Sequence, residues 1–180
     1  MKTFIALILA ALLAIVPVMG ETTVEEIVPE VYMIEGAVVQ NDENGLLIAT
    51  KDLGEVLVLS TEETILEGFE TLSAGDYVYV DYSGMMSRSL PPQITAQVIR
   101  SYRMDGVVTE VIAEENLVII NNELQGNVIV HLPEVAEGEE APALPQANDT
   151  VTVYFNGAMA MSLPPQIGAG LVVIHTAEEA

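Results

Sequence analysis

The hexapeptide Ser89-Leu90-Pro91-Pro92-Gln93-Ile94 occurs a second time, residue for residue, as Ser162-Leu163-Pro164-Pro165-Gln166-Ile167. Chance does not repeat six residues in a chain of 180, so the chain contains an internal duplication. One structural unit is used twice, and any fold assignment has to satisfy both settings. Adjacent prolines donate no hydrogen bond to a strand ladder and force extended backbone before them. The hexapeptide therefore belongs at a strand start or a barrel corner. On this reading Leu90 and Ile94 plug the end of a barrel while Pro91-Pro92 turns the chain, and Leu163-Pro164-Pro165 marks the same corner in the second copy. The competing reading makes these leucines and prolines a presented polyproline-like ligand or the lining of a groove.

The sequence around each hexapeptide breaks into short apolar runs. Copy one covers 32–103. Strands are expected at Met33–Val39, Leu46–Thr50, Glu55–Leu59, Tyr77–Tyr82, Met85–Ser89 and Ile94–Tyr102. Asn41-Asp42-Glu43-Asn44-Gly45 is a turn cluster. Thr61 with Glu63 or Thr64 offers an N-cap, and Ile65, Phe69 and Leu72 have near-helical spacing, which predicts a short helix over 62–72. Copy two covers 104–176 and repeats the order. Its Pro-, Ala- and Glu-rich segment 133–148 stands in place of the helix and reads as a loop. Asn156-Gly157 reads as a two-residue hairpin. The fold class is all-β with one short helix: two tandem OB-like barrels, with SH3-like barrels as the alternative. The short linker Ser101-Tyr102-Arg103-Met104 implies that the copies are fixed neighbours.

Comparing the copies assigns faces. Val78, Val80 and Tyr82 correspond to Val151, Val153 and Phe155. These alternate positions stay apolar in both copies and should face the cores. Between them Tyr77, Tyr79 and Asp81 become Thr150, Thr152 and Tyr154, a drifting set that should face outward. Tyr77, Tyr79 and Tyr154 are therefore candidate binding residues, beside Leu90, Pro91, Pro92, Leu163, Pro164 and Pro165 of the two corners.

Location and partners follow from the ends and the charge. Lys2 and the apolar run Phe4–Met19, interrupted by Pro17, describe a signal peptide over 1–20. The run is short for a membrane span. An acidic lead-in follows over 21–31, and 177–180 is a tail. The chain is expected to be secreted or associated with the cell envelope. With 27 acidic and 5 basic residues its formal charge is −22. Such a surface repels phosphate backbones and anionic lipid heads, so nucleic acid is excluded as a partner. An envelope polymer, a peptide or an extracellular protein is expected instead. There is no cysteine, so core packing must do what disulfides do in many small exported domains.

No catalytic set is legible. His131 and His175 lie in apolar strands without an evident Ser-Asp partner set. Neither a phosphate loop nor a zinc spacing is present. No enzyme activity and no cofactor are expected. Two metal readings remain. Asn41-Asp42-Glu43-Asn44 offers hard oxygens to calcium, and Met85-Met86 with Met159 and Met161, the latter two on one strand face, offers thioethers to Cu(I).

Gly75-Asp76-Tyr77-Val78-Tyr79-Val80, followed by Tyr82-Ser83-Gly84-Met85-Met86 and the hexapeptide, resembles a family of small exported β-domains of unknown function in Gram-positive bacteria. Asp149, Val151, Val153, Asn156-Gly157, Met159 and Ser162–Ile167 carry the same pattern in copy two. The resemblance covers about the last third of each copy. It implies the fold and says nothing of activity. The sequence thus points to an exported, non-catalytic binding or accessory module. A metal-binding (Ca or Cu) protein and a ligand-free structural spacer are the alternatives.

Overall fold

The structure is a computed structural model that describes residues 30–135 and 142–175. The expected signal peptide, most of the acidic lead-in, part of the 133–148 loop and the tail lie outside the described residues. Copy one forms β1 (Tyr32–Asp42), β2 (Gly45–Thr50), β3 (Gly54–Leu59), β4 (Ile65–Glu67), β5 (Tyr77–Tyr82) and β6 (Gln93–Arg100). Copy two forms β7 (Tyr102–Ile112), β8 (Leu117–Asn122), β9 (Gly126–His131), β10 (Thr150–Ala160) and β11 (Gln166–His175).

In copy one β1 pairs antiparallel with β2 and β5, β2 with β3, and β5 with β6. A parallel pair, β3 with β6, closes the ring. Copy two repeats this order, closed by the parallel pair β9–β11. Five strands closed in this way are the OB-like barrel, and the SH3-like alternative is set aside. Closure leaves neither ring with a free edge that would pair with another chain. A register shift falls at Val38/Gln40 in β1 and at Val108/Glu110 in β7. The duplication thus extends to bulges, which bend a strand around a barrel corner.

Each barrel has its own core, and the face assignment from sequence holds. Val78, Val80 and Tyr82 pack with Ile48, Val56, Val58 and Ile94. Val151, Val153 and Phe155 pack with Ile120, Val128, Val130 and Ile167. Burying such side chains stabilises by about 1.5–3 kcal/mol each, which is how barrels without disulfides hold together.

Three local expectations are corrected. The segment 62–72 is not a helix. Thr61 and Thr64 close a single turn, with the Thr61 N–H donating to Thr64 Oγ1 at 2.8 Å. The Thr64 hydroxyl donates to the Ala96 carbonyl at 2.9 Å, which fixes the segment alongside β6. β4 then pairs parallel with β6 over Val98–Arg100, just beyond the stretch that β3 occupies. Ile65 is exposed, while Phe69 and Leu72 pack on the first core. An open stretch of strand edge outweighs a weak helical spacing. Among the described residues the only helical element is the single 3-10 turn Ala113–Glu115. Met85–Ser89 is not a strand. It is a loop closed by two contacts between Ser87 and Gln93: the Ser87 N–H donates to the Gln93 carbonyl at 2.9 Å, and the Gln93 N–H donates to Ser87 Oγ at 2.8 Å. Asn156-Gly157 is not a hairpin turn either. β10 runs through it to Ala160, with a shift of register between Phe155 and Met159.

Candidate binding loops and the contact between barrels

The loop that joins the fourth and fifth barrel strands carries the hexapeptide in each copy. Its base is clamped the same way twice. The Tyr32 ring lies over Gly84 and the Tyr102 ring over Gly157, so close that a Cβ on either glycine would come within 2.6 and 2.5 Å of ring carbon. The same tyrosines pack on Tyr82 and Phe155, with ring centroids 6.1 and 5.8 Å apart.

Within the hexapeptide nearly every residue has a place in the barrel. The Ser89 hydroxyl donates to the Pro91 carbonyl at 2.8 Å, and that of Ser162 to the Pro164 carbonyl at 2.7 Å. The second proline begins the parallel closing pair. Pro92 O accepts from the Leu57 N–H, and Pro165 O from the Ile129 N–H, both at 2.9 Å. Ile94 and Ile167 then enter the cores, each only 2% exposed. The Leu90-Pro91 and Leu163-Pro164 peptide bonds are both cis. The leucines are the exception. Leu90 is 96% exposed and Leu163 99% exposed, so neither plugs its barrel, and that expectation is corrected. Met85 and Met161 are exposed on the same loops.

The three tyrosines proposed from sequence do point away from their own cores, and the other barrel covers them. Tyr79 is 4% and Tyr154 7% exposed, while Tyr77 is half-buried. Tyr77 and Tyr79 stack edge to face at 5.6 Å and lie against the backbone of Gly170 in β11. Tyr154 Oη donates to Asp76 Oδ1 at 2.9 Å, and Ser101 Oγ donates to the Tyr77 carbonyl at 2.8 Å. These residues hold the two barrels together, so they do not form an open patch.

Burial raises all three phenols. Tyr77 is raised by burial, then by the charge and hydrogen bond of Glu35. Tyr79 is raised by burial and the charges of Glu35 and Tyr77, against a hydrogen bond from the Gly170 backbone. Tyr154 is pushed up to about 12 by burial and then by Asp76. A phenol whose folded pKa exceeds its unfolded value of about 10 contributes stability that is intact below pH about 10. That contribution disappears as pH rises through the folded values. Between pH about 10 and 12 the contact between barrels should therefore weaken, seen as lower urea midpoints alongside rising phenolate absorbance. Constant stability across that range would refute the assignment.

The histidines are better connected than the sequence suggested. His131 Nε2 lies 2.9 Å from Gln166 Oε1, and a carbonyl oxygen requires the ring nitrogen to be the donor. The Thr152 hydroxyl donates to Asp105 Oδ1 at 2.5 Å and lies 2.9 Å from His175 Nε2. The hydroxyl has one proton, so Nε2–H is the donor to it. The order is acid, hydroxyl, imidazole. A nucleophilic triad needs the imidazole in the middle, where it can take the hydroxyl proton. Asp105, Thr152 and His175 sit on three strands, β7, β10 and β11, and no sequence spacing announces them.

Neither metal reading gains a built site. In the Asn41–Asn44 turn Asp42 accepts from the Asn44 N–H at 2.8 Å and from Gln40 Nε2 at 2.6 Å. These bonds, the Asn44 N–H foremost, hold its carboxyl below the usual range. Among the described residues no group of three or more His, Cys, Asp or Glu is placed to hold an ion. Met86 and Met159 pack on the two cores, while Met85 and Met161 point to solvent. Met159 and Met161 therefore do not share a face, and neither pair offers two thioethers to one ion.

Fold and loops together define a tandem pair of OB-like barrels with duplicated, rigidly closed loops. No family model matches the chain, and no curated protein sequence matches it. A solved structure described as a multidomain protein with nucleic acid binding domains, from Streptococcus pneumoniae TIGR4, is similar at 17% identity. The likeness covers 81% of this chain and 46% of that one, with a TM-score of 0.24, so this chain spans just under half of that protein. The finding corrects the expectation about partners. Nucleic acid is no longer excluded by charge alone, and an envelope polymer, peptide or extracellular protein is no longer the expected partner. A superposition this loose carries nothing further about ligand.

Proposed function

We propose that the chain is an exported, non-catalytic binding module that docks through two leucine-tipped loops. One observation carries the reading. Serine, proline and isoleucine of the hexapeptide all serve barrel closure, yet the one residue with no place in the barrel, the leucine, is present in both copies at 96% and 99% exposure. A large apolar side chain held in water on a closed loop is a docking element when it is paired with a second, here Met85 or Met161. Charge supports the same surface. In a chain with 27 acidic residues, none falls between Asp81 and Asp105 or between Asp149 and Glu178. Both loops lie inside these acid-free stretches. Export rests on the apolar run Phe4–Met19 behind Lys2, and on the resemblance to small exported β-domains. The absence of catalysis rests on the hydroxyl-centred order of Asp105, Thr152 and His175.

The test is a photo-crosslinking amino acid placed at 90 or 163 in the producing cell, with Glu55 on the exposed start of β3 as the control site. A discrete adduct from both loop positions and none from position 55 is expected. Identical patterns at all three sites, or none at any, would leave the ligand-free spacer as the correct reading.

A further inference from the structure

The two copies differ most in the segment between their third and fourth barrel strands, and a cleft lies there. Its volume is about 500 Å³ and its walls are Gly68–Leu72 and Asp76 from copy one, Ser101 at the junction, and Arg103 and Tyr154 from copy two. Clefts between domains are where small ligands most often bind. The shape is built in. Gly68, at φ +84°, lies so near the junction that a Cβ there would meet the Ser101 carbonyl at 2.7 Å and the Tyr102 ring at 2.8 Å. Asp76, also in the lining, is fixed from two sides, by Tyr154 Oη at 2.9 Å and by the Ser73 N–H at 2.7 Å.

The charges in the cleft are unusual for this chain. Arg100 is fully engaged with Asp81 and Glu67. The Arg103 guanidinium makes no hydrogen bond or ion pair among the described residues, despite the acidic surroundings, although its charge reaches the Tyr154 phenol. Its guanidinium is a fork of donors suited to a carboxylate. Asp76 and Glu70 line the same cleft and accept only. A dianion would meet these two carboxylates, and a plain cation would meet Arg103. Phe69 and Leu72 supply an apolar wall.

We propose that this cleft binds a small zwitterion with one carboxylate and one ammonium group, such as a free α-amino acid. The carboxylate lies on Arg103, and the ammonium on the side of Glu70 and Asp76. This site is separate from the leucine loops and stands or falls without them. The test is an amide chemical-shift titration of the described domain pair within the full chain. The probes are L-leucine and L-lysine, with acetate and isobutylamine as single-charge controls. Saturable shifts at Ser101, Arg103 and Tyr154 with the amino acids, at least tenfold weaker in Arg103→Gln and in Glu70→Gln and unchanged in Arg88→Gln, are expected. No shift up to roughly 10 mM, where even a weak specific site would fill, overturns the proposal. So does binding of acetate or isobutylamine as tight as that of the amino acids, or undiminished binding by Arg103→Gln.

Discussion

Ile94→Ala should destabilise the first barrel by about 2–5 kcal/mol, while Leu90→Ala, four residues earlier in the same hexapeptide, should change stability by less than about 0.5 kcal/mol. Ile94 is 2% exposed and follows the proline pair after a single residue, Gln93. Its backbone lies opposite Val58 in the parallel closing pair, and its side chain packs with Val56, Val58, Val78 and Val80. Truncation leaves a cavity where the ring of strands is joined, and valines that start on fixed rotamers cannot collapse far to fill it. Leu90 has no neighbour to lose. Ile167→Ala and Leu163→Ala should divide in the same way in the second barrel. Urea unfolding followed by circular dichroism measures all four. Equal losses from Leu90→Ala and Ile94→Ala would return the leucine to a structural role and remove the basis for docking through the loops.

The division inside the hexapeptide also shows how far the sequence could be read. Its repetition established two copies, and alternation over Val78-Tyr79-Val80 and Val151-Thr152-Val153 established strands and their inner faces. Those features are local, and the period of two is set by the backbone itself. What could not be read depends on contacts between distant elements. Ile65 is in a strand because β6 has unpaired backbone beyond the reach of β3. Leu90 is exposed because the closing pair starts only at Pro92 and runs on through Gln93, Ile94 and Thr95. Tyr79 is buried because β11 of the other copy presents Gly170 to it. His175 meets Thr152 and Asp105 only after β7, β10 and β11 are aligned. One signal for the loops was present in the sequence: acidic residues are missing from 82–104 and from 150–177, although they crowd 21–81 and 105–149.

Gly170→Ala should separate the barrels while leaving each one folded. A Cβ at this position would sit 2.2 Å from Tyr79 Oη and 2.5 Å from Cε1 of Tyr77. Real Cβ contacts do not approach so closely, so something must move. Tyr79 is nearly fully buried, and its ring is held edge-on by Tyr77, so it has little room to give way. Relief therefore comes from moving β11 away from β5. Forced overpacking of this kind costs about 1–3 kcal/mol. The contact it strains is small compared with either core, so separation is the cheaper response. Small-angle scattering should show a larger radius of gyration, and Tyr77 and Tyr79 should become open to acrylamide quenching. The β-sheet circular dichroism should be retained. Gly168→Ala is the control, because a Cβ there meets nothing within 4 Å. The cleft lined by Asp76, Arg103 and Tyr154 draws on both barrels, so Gly170→Ala should weaken any ligand held there while leaving crosslinks from Leu90 in place. If instead the radius stayed the same and the sheet signal fell, Gly170 would be needed for the second barrel itself, and the two tyrosines would not be what sets the barrels side by side.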